Sequence, residues 1–242
     1  MIDLHTHILP GVDDGPMTID DALAMLRLAV ADGIATLVAT PHSHHARGAD
    51  IPLATQQLQC AAQSAGLPIT ILPGSEVRIT SELDRAFRAG ELQTINDGPW
   101  LLLELPLYDE WPLPLVLGVL ERLRKADARP ILAHAERYPF VQRRPAAIAE
   151  VVRLGVPVQI NAQSLLYRDS DPDRVAAEAL LRAGLVHLLA SDAHNPRYRP
   201  PVLSTAYKRV VELTSSAIPA QMQDLASAII EGREVEVRLV EG

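Results

Sequence analysis

Residues 1–15, MIDLHTHILPGVDDG, place two histidines two residues apart, ahead of a pair of acids. The segment IDLHTH is predicted to form a short strand, in which alternate side chains point to opposite faces. His5 and His7 therefore share one face, where two imidazoles can bind one cation, and the adjoining VDDG supplies carboxylates. The alternative is a pair of surface histidines on an edge strand, because short motifs recur by chance. The rest of the chain has to decide between the two.

Short apolar runs recur along the chain and alternate with longer segments of helical periodicity. The runs are IDLH, ATLVAT, ITILPG, WLLLEL, PILAHA, VPVQIN and HLLASD. The helical segments are TIDDALAMLRLAVADG, PLATQQLQCAAQSAG, TSELDRAFRAG, PLVLGVLERLRKADA, PAAIAEVVRLG and PDRVAAEALLRAG. Fully apolar strands that alternate with helices predict a parallel sheet covered on both faces. About seven such units without a linker favour one closed barrel over an open sheet.

Local signals mark where these helices begin and end. Thr18 with Asp21, and Asp171 before a proline, are typical of helix starts. Glycines stand where the helices should stop, at Gly33, Gly66, Gly90, Gly155 and Gly184. The Pro-rich LYDEWPLPL is predicted to be a loop, and Cys60 is expected to be a small packing residue in a helix.

The bulk composition narrows the function classes. The 242 residues could form one large α/β domain or two small ones, and 48% hydrophobic content is ample for a core. A net charge of −8 argues against nucleic acid and anionic membrane surfaces as partners. No window reaches the length of a spanning helix and no signal peptide is seen, so a cytoplasmic protein is expected. One cysteine, which permits no internal disulfide, agrees with that location.

Polar side chains fall at the predicted strand ends, where a (β/α) barrel builds its active site. Imidazoles and carboxylates occur at almost every end or in the loop after it: His5, His7, Asp14, His42, Glu76, Glu104, His134, Asp192 and His194. Any one of them could be a helix cap or a satisfied polar group. Clustered carboxylates repel each other and resist burial without cations, so together they predict a polynuclear metal site.

Several other polar residues are expected to have different roles. His187 opens its strand and is expected to be structural at the far end. His44 and His45 are interpreted as rim residues, although either could be a ligand or meet substrate. Asn161 is expected to hydrogen-bond within the site. Asp14 is the candidate ligand, and its neighbour Asp13 is the alternative.

The motifs HTHILPGVDDG, ATPH, GSEVRI, LLLELP, AHAERY and ASDAHN resemble those of the polymerase and histidinol phosphatase (PHP) superfamily. Their order most resembles its bacterial protein-tyrosine phosphatases of capsule and exopolysaccharide synthesis, over residues 2 to about 200. The resemblance implies a single domain over residues 1–242, folded as a distorted (β/α)7 TIM-like barrel. It also implies three divalent metal ions, usually manganese, with iron or zinc allowed by the ligand types.

The resemblance also implies which residue serves which ion. One ion would be held by His5, His7, Glu76 and Asp192. Glu76 would bridge to a second ion, completed by Glu104 and His134. The third would be held by Asp14, His42 and His194. Two departures from the family pattern, the loop ATPHSHHARGADIP and Ala135 after the fifth-strand histidine, remove no ligand. The loop difference bears on the substrate, since loops set specificity on this scaffold.

A metal-bridging hydroxide that attacks phosphorus without a phosphoenzyme is the expected chemistry. Arg137 and Arg199 are expected to bind phosphate oxygens, with Arg197 as a rival to Arg199 and a rim salt bridge as the alternative for each. A cysteine phosphatase is not expected, because Cys60 has Gly66 where the Cys-x5-Arg signature needs arginine. The favoured substrate is phosphotyrosine in a kinase of polysaccharide synthesis. The alternatives are a small-molecule phosphatase such as histidinol phosphatase, a nuclease, and a non-catalytic metal-binding regulator.

Overall fold

The computed structural model describes residues 1–106 and 111–237. The strands are β1 (Ile2–Thr6), β2 (Thr36–Ala39), β3 (Thr70–Pro73), β4 (Glu76–Arg78), β5 (Trp100–Glu104), β6 (Arg129–Leu132), β7 (Gln159–Asn161) and β8 (Leu188–Ala190). The helices are α1 (Ile19–Ala31), α2 (Ile51–Ser64), α3 (Leu83–Arg88), α4 (Leu113–Lys125), α5 (Pro139–Arg143), α6 (Ala149–Arg153), α7 (Pro172–Arg182), α8 (Ser204–Leu213) and α9 (Ile218–Ile230). Short 3-10 turns lie at Gly48–Asp50, Ile95–Asp97, Ala135–Arg137, Pro145–Ile148 and Gln163–Leu166.

Every predicted apolar run contains a strand, and the strands pair in parallel, as the alternation with helices predicted. They form the groups β1-β2-β3, β4-β5-β6 and β7-β8. Isolated parallel bridges join residues of neighbouring groups, at Thr6 with Ala193, His42 with Glu76, and Leu132 with Val158. The neighbouring groups therefore touch through single residue pairs rather than through continuous ladders.

Strand β4 was not predicted. The sequence pattern carries the third strand straight through to Glu76, whereas β3 stops at Pro73 and β4 starts three residues later. Gly74 makes the break possible, because a Cβ there would lie 2.7 Å from Cγ1 of Val38. The backbone thus leaves β2 and continues as a partner of β5, which turns the Glu76 side chain into the protein.

The helix predictions are largely confirmed at their boundaries. Thr18 and Asp171 accept hydrogen bonds from backbone N–H groups at the starts of α1 and α7. The five stop glycines all adopt positive φ angles, which a residue without Cβ tolerates best. The segment PAAIAEVVRLG is divided between a 3-10 turn and the short α6, and α5, α8 and α9 were not predicted.

The strands carry apolar side chains on both faces. The side chains on the face away from most helices form a small hydrophobic cluster, separate from the main core. This inner cluster comprises Leu4, Ile95, Val38, Trp100, Leu102, Ile131, Ala133, Leu188, Ala226 and Ile229. Its last two members come from α9, so α9 covers the amino ends of the strands. Polar bonds hold α9 there: the N–H of Ile2 donates to Oε1 of Gln223 at 2.6 Å, and Asn96 donates to the Ile230 carbonyl at 2.9 Å.

Three further predictions from the sequence concern Cys60, the segment LYDEWPLPL and membrane-spanning helices. Cys60 is exposed on α2, so its interpretation as a packing residue was wrong: it lies on the solvent side of the helix. Of the predicted loop LYDEWPLPL, residues 107–110 lie outside the described residues, and its last three residues begin α4. Among the described residues, no helix combines the length and apolar character that a membrane crossing requires.

Candidate metal centre

The carboxyl ends of the strands meet in a pocket of about 260 Å³. Its lining comprises Asp14, His42, Glu76, Arg78, Glu104, Pro106, His134, Arg137, Asp192, His194 and Arg199. His5 and His7 lie beneath it and are fully buried. The structure therefore brings together all of the side chains that the sequence analysis placed at the strand ends.

Hydrogen bonds fix His5 in β1 and His7 just after it in the orientation that a cation would need. Nδ1 of His5 lies 3.1 Å from Oε1 of Gln159, and Nδ1 of His7 lies 2.6 Å from Oδ2 of Asp13. Both partners are oxygens that accept, so each Nδ1 donates and each neutral ring keeps its lone pair on Nε2. The two Nε2 atoms lie 3.2 Å apart. Two lone pairs at this distance repel each other unless a cation or a proton lies between them.

Donor atoms converge in overlapping groups whose members lie within 4.8 Å of one another. The groups are His7, Asp14, His42 and His194; His5, His7 and Asp192; Glu76, Glu104 and His134; and His42, His44 and Glu104. Mixed imidazole and carboxylate donors suit manganese, iron and zinc. The residues present therefore fit a site for several divalent ions.

Glu76 is the central carboxylate of the pocket. Its oxygens lie 2.7 Å from Nε2 of His134 and 2.9 Å from Nδ1 of His42. His5 and His7 also approach it within 3.5 Å. Burial would raise the pKa of Glu76, but the surrounding histidines hold it well below its usual value. The carboxylate is thus kept ionised and shared between neighbours, as a bridging ligand must be.

The histidines show the reciprocal effect. Burial would lower the pKa of His7, but Asp13 and Glu76 outweigh burial and raise it to about 9. Burial likewise opposes protonation of His42, and Glu104 and Glu76 raise its pKa to about 10. Without metal, therefore, protons partly neutralise the buried carboxylates. Metal binding would displace those protons, since a coordinating imidazole must be neutral.

Two of the candidate ligands have a strained backbone. His134 has φ 30° and Asp192 has φ 51°, in the left-handed region that side chains with a Cβ rarely adopt. Each stands two residues after the end of its strand, where the chain must turn to bring the side chain into the pocket. Such strain costs of order 1–3 kcal/mol per residue and is typical of functional sites.

Asp13 and Asp14, between which the sequence leaves the choice open, occupy different positions. The Asp13 carboxylate accepts from Nδ1 of His7 and, at 3.0 Å, from the backbone N–H of His42. It therefore orients two candidate ligands from behind. Asp14 faces the pocket instead, with Oδ1 3.4 Å from Nε2 of His194 and 3.7 Å from Nε2 of His42.

The two expected arginines line the pocket on the side of Asp192. Nη2 of Arg199 lies 2.5 Å from Oδ2 of Asp192, and Nη1 of Arg137 lies 3.5 Å from the same oxygen. A tight turn fixes Arg199, because its carbonyl accepts from the N–H of His194 at 2.9 Å. The rival Arg197 is exposed and does not line the pocket.

Several supporting residues were missed. Gln159 accepts from His5 and from the backbone N–H of His134, and its amide donates to Asn161, which donates to Asp192 at 2.6 Å. Gln159 is a polar residue inside the apolar run VPVQIN, and this exception in the pattern could have indicated a role in the site. Arg78 was also missed, although it stands two residues after Glu76 on one strand and so points to the same face. Its Nε lies 3.3 Å from Oε1 of Glu104.

The remaining histidines divide as follows. His44 and His45 are exposed, as rim residues would be, although His44 joins His42 and Glu104 in one donor group. His187 is buried away from the pocket and its Nδ1 accepts from the N–H of Val158 at 3.2 Å, which agrees with a structural role. The hydrogen bond expected from Asn161 within the site is present.

The chain is similar to known proteins over nearly its whole length. The tyrosine-protein phosphatase YwqE of Bacillus subtilis is 30% identical over 239 residues, which cover 97% of this chain and 93% of YwqE. The putative tyrosine-protein phosphatase CapC of Staphylococcus aureus is 29% identical over 240 residues, covering 97% and 91% of the two chains.

The fold is similar to that of a chain from a crystallographic study of YwqE from B. subtilis and CpsB from Streptococcus pneumoniae. That study describes both proteins as metal-dependent tyrosine phosphatases. The TM-score is 0.92 at 29% identity, over 100% of this chain and 98% of that one. A variant of an organophosphorus hydrolase from Deinococcus radiodurans shares the fold more distantly, with a TM-score of 0.50 at 17% identity over 91% and 92% of the chains. The CpsB/CapC model, described as capsular polysaccharide synthesis, matches residues 1–224. The chain belongs to the CpsB/CapC family.

Proposed function

We propose that this protein is a metal-dependent phosphomonoesterase that hydrolyses phosphotyrosine in a kinase of polysaccharide synthesis. One observation carries the proposal: buried imidazole and carboxylate donors converge in one pocket whose wall carries two arginines on a single carboxylate. The naming of YwqE and CapC as tyrosine-protein phosphatases supports the same substrate class. The kinase and a cytoplasmic location stay predictions.

The proposed ligand sets follow the donor groups. His5, His7 and Asp192 would hold one divalent ion with Glu76, which would also join Glu104 and His134 at a second. Asp14, His42 and His194 would hold a third. Manganese is the proposed metal, with iron and zinc as alternatives. When bound, closely spaced divalent ions lower the pKa of water and neutralise charge on the attacking and leaving oxygens.

The residues of the chain itself bind and orient the phosphate. Arg137 and Arg199 present guanidinium groups at the pocket wall, where each could contact two phosphate oxygens. Asp192 fixes both arginines from below. Among the described residues that line the pocket, none is a cysteine, serine or threonine. This lining argues against a phosphocysteine, phosphoserine or phosphothreonine intermediate, and Cys60 is exposed on α2.

We also propose that the strands close into a distorted (β/α)7 barrel forming a single domain, in which β3 and β4 together occupy one strand position. The bridges Thr6 with Ala193, His42 with Glu76, and Leu132 with Val158 support this arrangement, because each spans one gap between strand groups. Convergence of donors from both ends of the sequence on one pocket needs such closure.

The decisive experiment compares phosphotyrosyl peptide, histidinol phosphate and single-stranded DNA as substrates of the purified protein. We expect the peptide to be hydrolysed fastest, activity to vanish with chelator, and manganese to restore it. Cys60→Ser is the control and should keep its turnover. Preference for histidinol phosphate would identify a small-molecule phosphatase. Activity that survives complete metal removal, or a trapped phosphocysteine, would refute the proposed chemistry.

A further inference from the structure

A second depression of about 620 Å³ opens beside the metal pocket. One wall is the loop after β2, residues 43–51, and the other comprises β4 and part of residues 80–93. Arg78 lines both the depression and the pocket, so the two lie side by side. We call this depression the flanking groove, because a chain with one residue in the pocket could continue along it.

The walls of the flanking groove are held in place by backbone contacts. The N–H of Ser43 donates to the Glu76 carbonyl at 2.9 Å, and Oγ of Ser75 donates to the Gln93 carbonyl at 2.8 Å. At Gly48 the walls meet so closely that a Cβ would lie 3.0 Å from the backbone N of Gln93. The groove is therefore formed before any ligand arrives.

The charge of the groove differs from that of the whole protein. Arg47 and Arg78 line it with the two neighbouring histidines His44 and His45, against a single acidic lining residue, Glu91, among those described. The Arg47 side chain is 90% exposed and that of Arg78 is 46% exposed. Each arginine also has an acidic neighbour outside the groove lining at 3.3 Å, Asp50 for Arg47 and Glu104 for Arg78. In a chain of net charge −8, the lining itself carries more arginine than acid. Such a surface attracts acidic segments.

We propose that the flanking groove binds acidic residues next to the phosphotyrosine, with Arg78 and Arg47 contacting successive carboxylates of the substrate polypeptide. The inference rests on the proposed function and specifies which residues beside the phosphotyrosine the enzyme would prefer in its substrate. Arg78 would contact the residue beside the phosphotyrosine, since it stands at the junction with the pocket. Arg47, further along the exposed loop, would contact a residue more distant from it.

The test uses two phosphotyrosyl peptides of equal length that carry glutamates or glutamines on both sides of the phosphotyrosine. We expect kcat/KM to favour the glutamate peptide by about two- to five-fold for each contact made, as exposed ion pairs allow. The preference should act through KM and should shrink as salt is added. Arg47→Gln should reduce it and leave turnover of a small aryl phosphate unchanged.

The matched control is Arg182→Gln. Arg182 is also exposed and pairs with an acid at 3.3 Å, as Arg47 does with Asp50, but it lies on α7 outside the groove. The control should keep the full preference for glutamate. Equal kcat/KM for both peptides, or a preference that Arg47→Gln leaves intact, would overturn the inference while aryl phosphate hydrolysis upholds the proposed function. Absence of any phosphatase activity would overturn both.

Discussion

The two ends of the strands carry opposite chemistry, although the same strands supply both. At the carboxyl ends, imidazoles and carboxylates, most of them buried, converge in groups whose members lie within 4.8 Å of one another. At the amino ends, α9 packs Ala226 and Ile229 against the inner cluster. The hydrogen bonds there tie α9 and the residues after it to the strand ends, as when Trp100 Nε1 donates to the Arg233 carbonyl at 3.2 Å.

This difference shows how the fold tolerates a costly pocket. Buried carboxylates and strained backbone oppose folding unless cations compensate them. Burial of apolar side chains at the opposite end stabilises the fold without any such requirement. We therefore expect changes at the carboxyl ends to affect metal binding and catalysis, and changes at the amino ends to affect stability.

The largest effect is expected at the carboxyl ends, from Glu76→Ala. The variant should lose bound metal and lower aryl phosphate turnover by at least ~1,000-fold. Loss of a carboxylate shared between ions should cost more than the roughly 10–100-fold loss seen when a residue that only orients a ligand is replaced. Elemental analysis and steady-state kinetics measure both. His44→Ala is the comparison, as an exposed residue of the rim. Equal losses in the two variants would mean that the inner and outer residues of the site are misassigned.

At the amino ends, Ile229→Ala should lower the free energy of unfolding by about 2–4 kcal/mol, since it empties a fully buried site. Denaturant unfolding measures the change. Metal content per folded molecule should stay the same. Val211→Ala, on the exposed side of α8, should change stability by less than about 0.5 kcal/mol. Loss of metal from the Ile229 variant would show that the two ends are not independent.

A smaller effect is expected for Arg199→Ala, which should lower turnover by about 10-fold or more with metal content unchanged. The reason is that the lost guanidinium would contact substrate oxygens. Arg197→Ala, outside the pocket, is the control and should behave like the unmodified protein. If the Arg199 variant lost metal instead, its contact with Asp192 would be the important one, and the residue would orient a ligand rather than bind substrate.

The smallest effect is expected away from both ends, at Glu178 on α7. Burial would raise its pKa, but Arg209 and Arg174 outweigh burial and lower it to about 2. A lowered carboxyl pKa stabilises the fold above the ordinary value near 4.5, and that contribution disappears as pH falls towards 2. Glu178→Gln should therefore cost about 1 kcal/mol or less at pH 7 and progressively less in acid.

Urea unfolding of the Glu178 variant between pH 7 and pH 3 checks this sign. Glu212→Gln removes a more exposed partner of the same Arg209 and serves as the control. Aryl phosphate turnover should be unaffected in both variants. A stability difference that grows in acid would contradict the assignment of the lowered pKa to Glu178.

Much of the site was readable from the sequence because its signals are local. Alternation predicts that His5 and His7 point the same way at the end of the first strand. The end of each apolar run marks where a parallel strand carries its polar residue. Helix caps at Thr18 and Asp171 likewise depend on residues a few positions away. None of these signals requires knowledge of a distant contact.

Only the tertiary structure decided the features that depend on contacts between distant segments. The break between β3 and β4 depends on Gly74 against Val38. The different positions of Asp13, which contacts Nδ1 of His7, and Asp14, which faces the pocket, likewise depend on packing. Arg199 was separated from Arg197 by a turn that packs on His194. The sequence by itself determined which chemical groups the site contains, since composition and strand periodicity are local. Their distances, partners and orientation were decided by packing, because those depend on residues far apart in the chain.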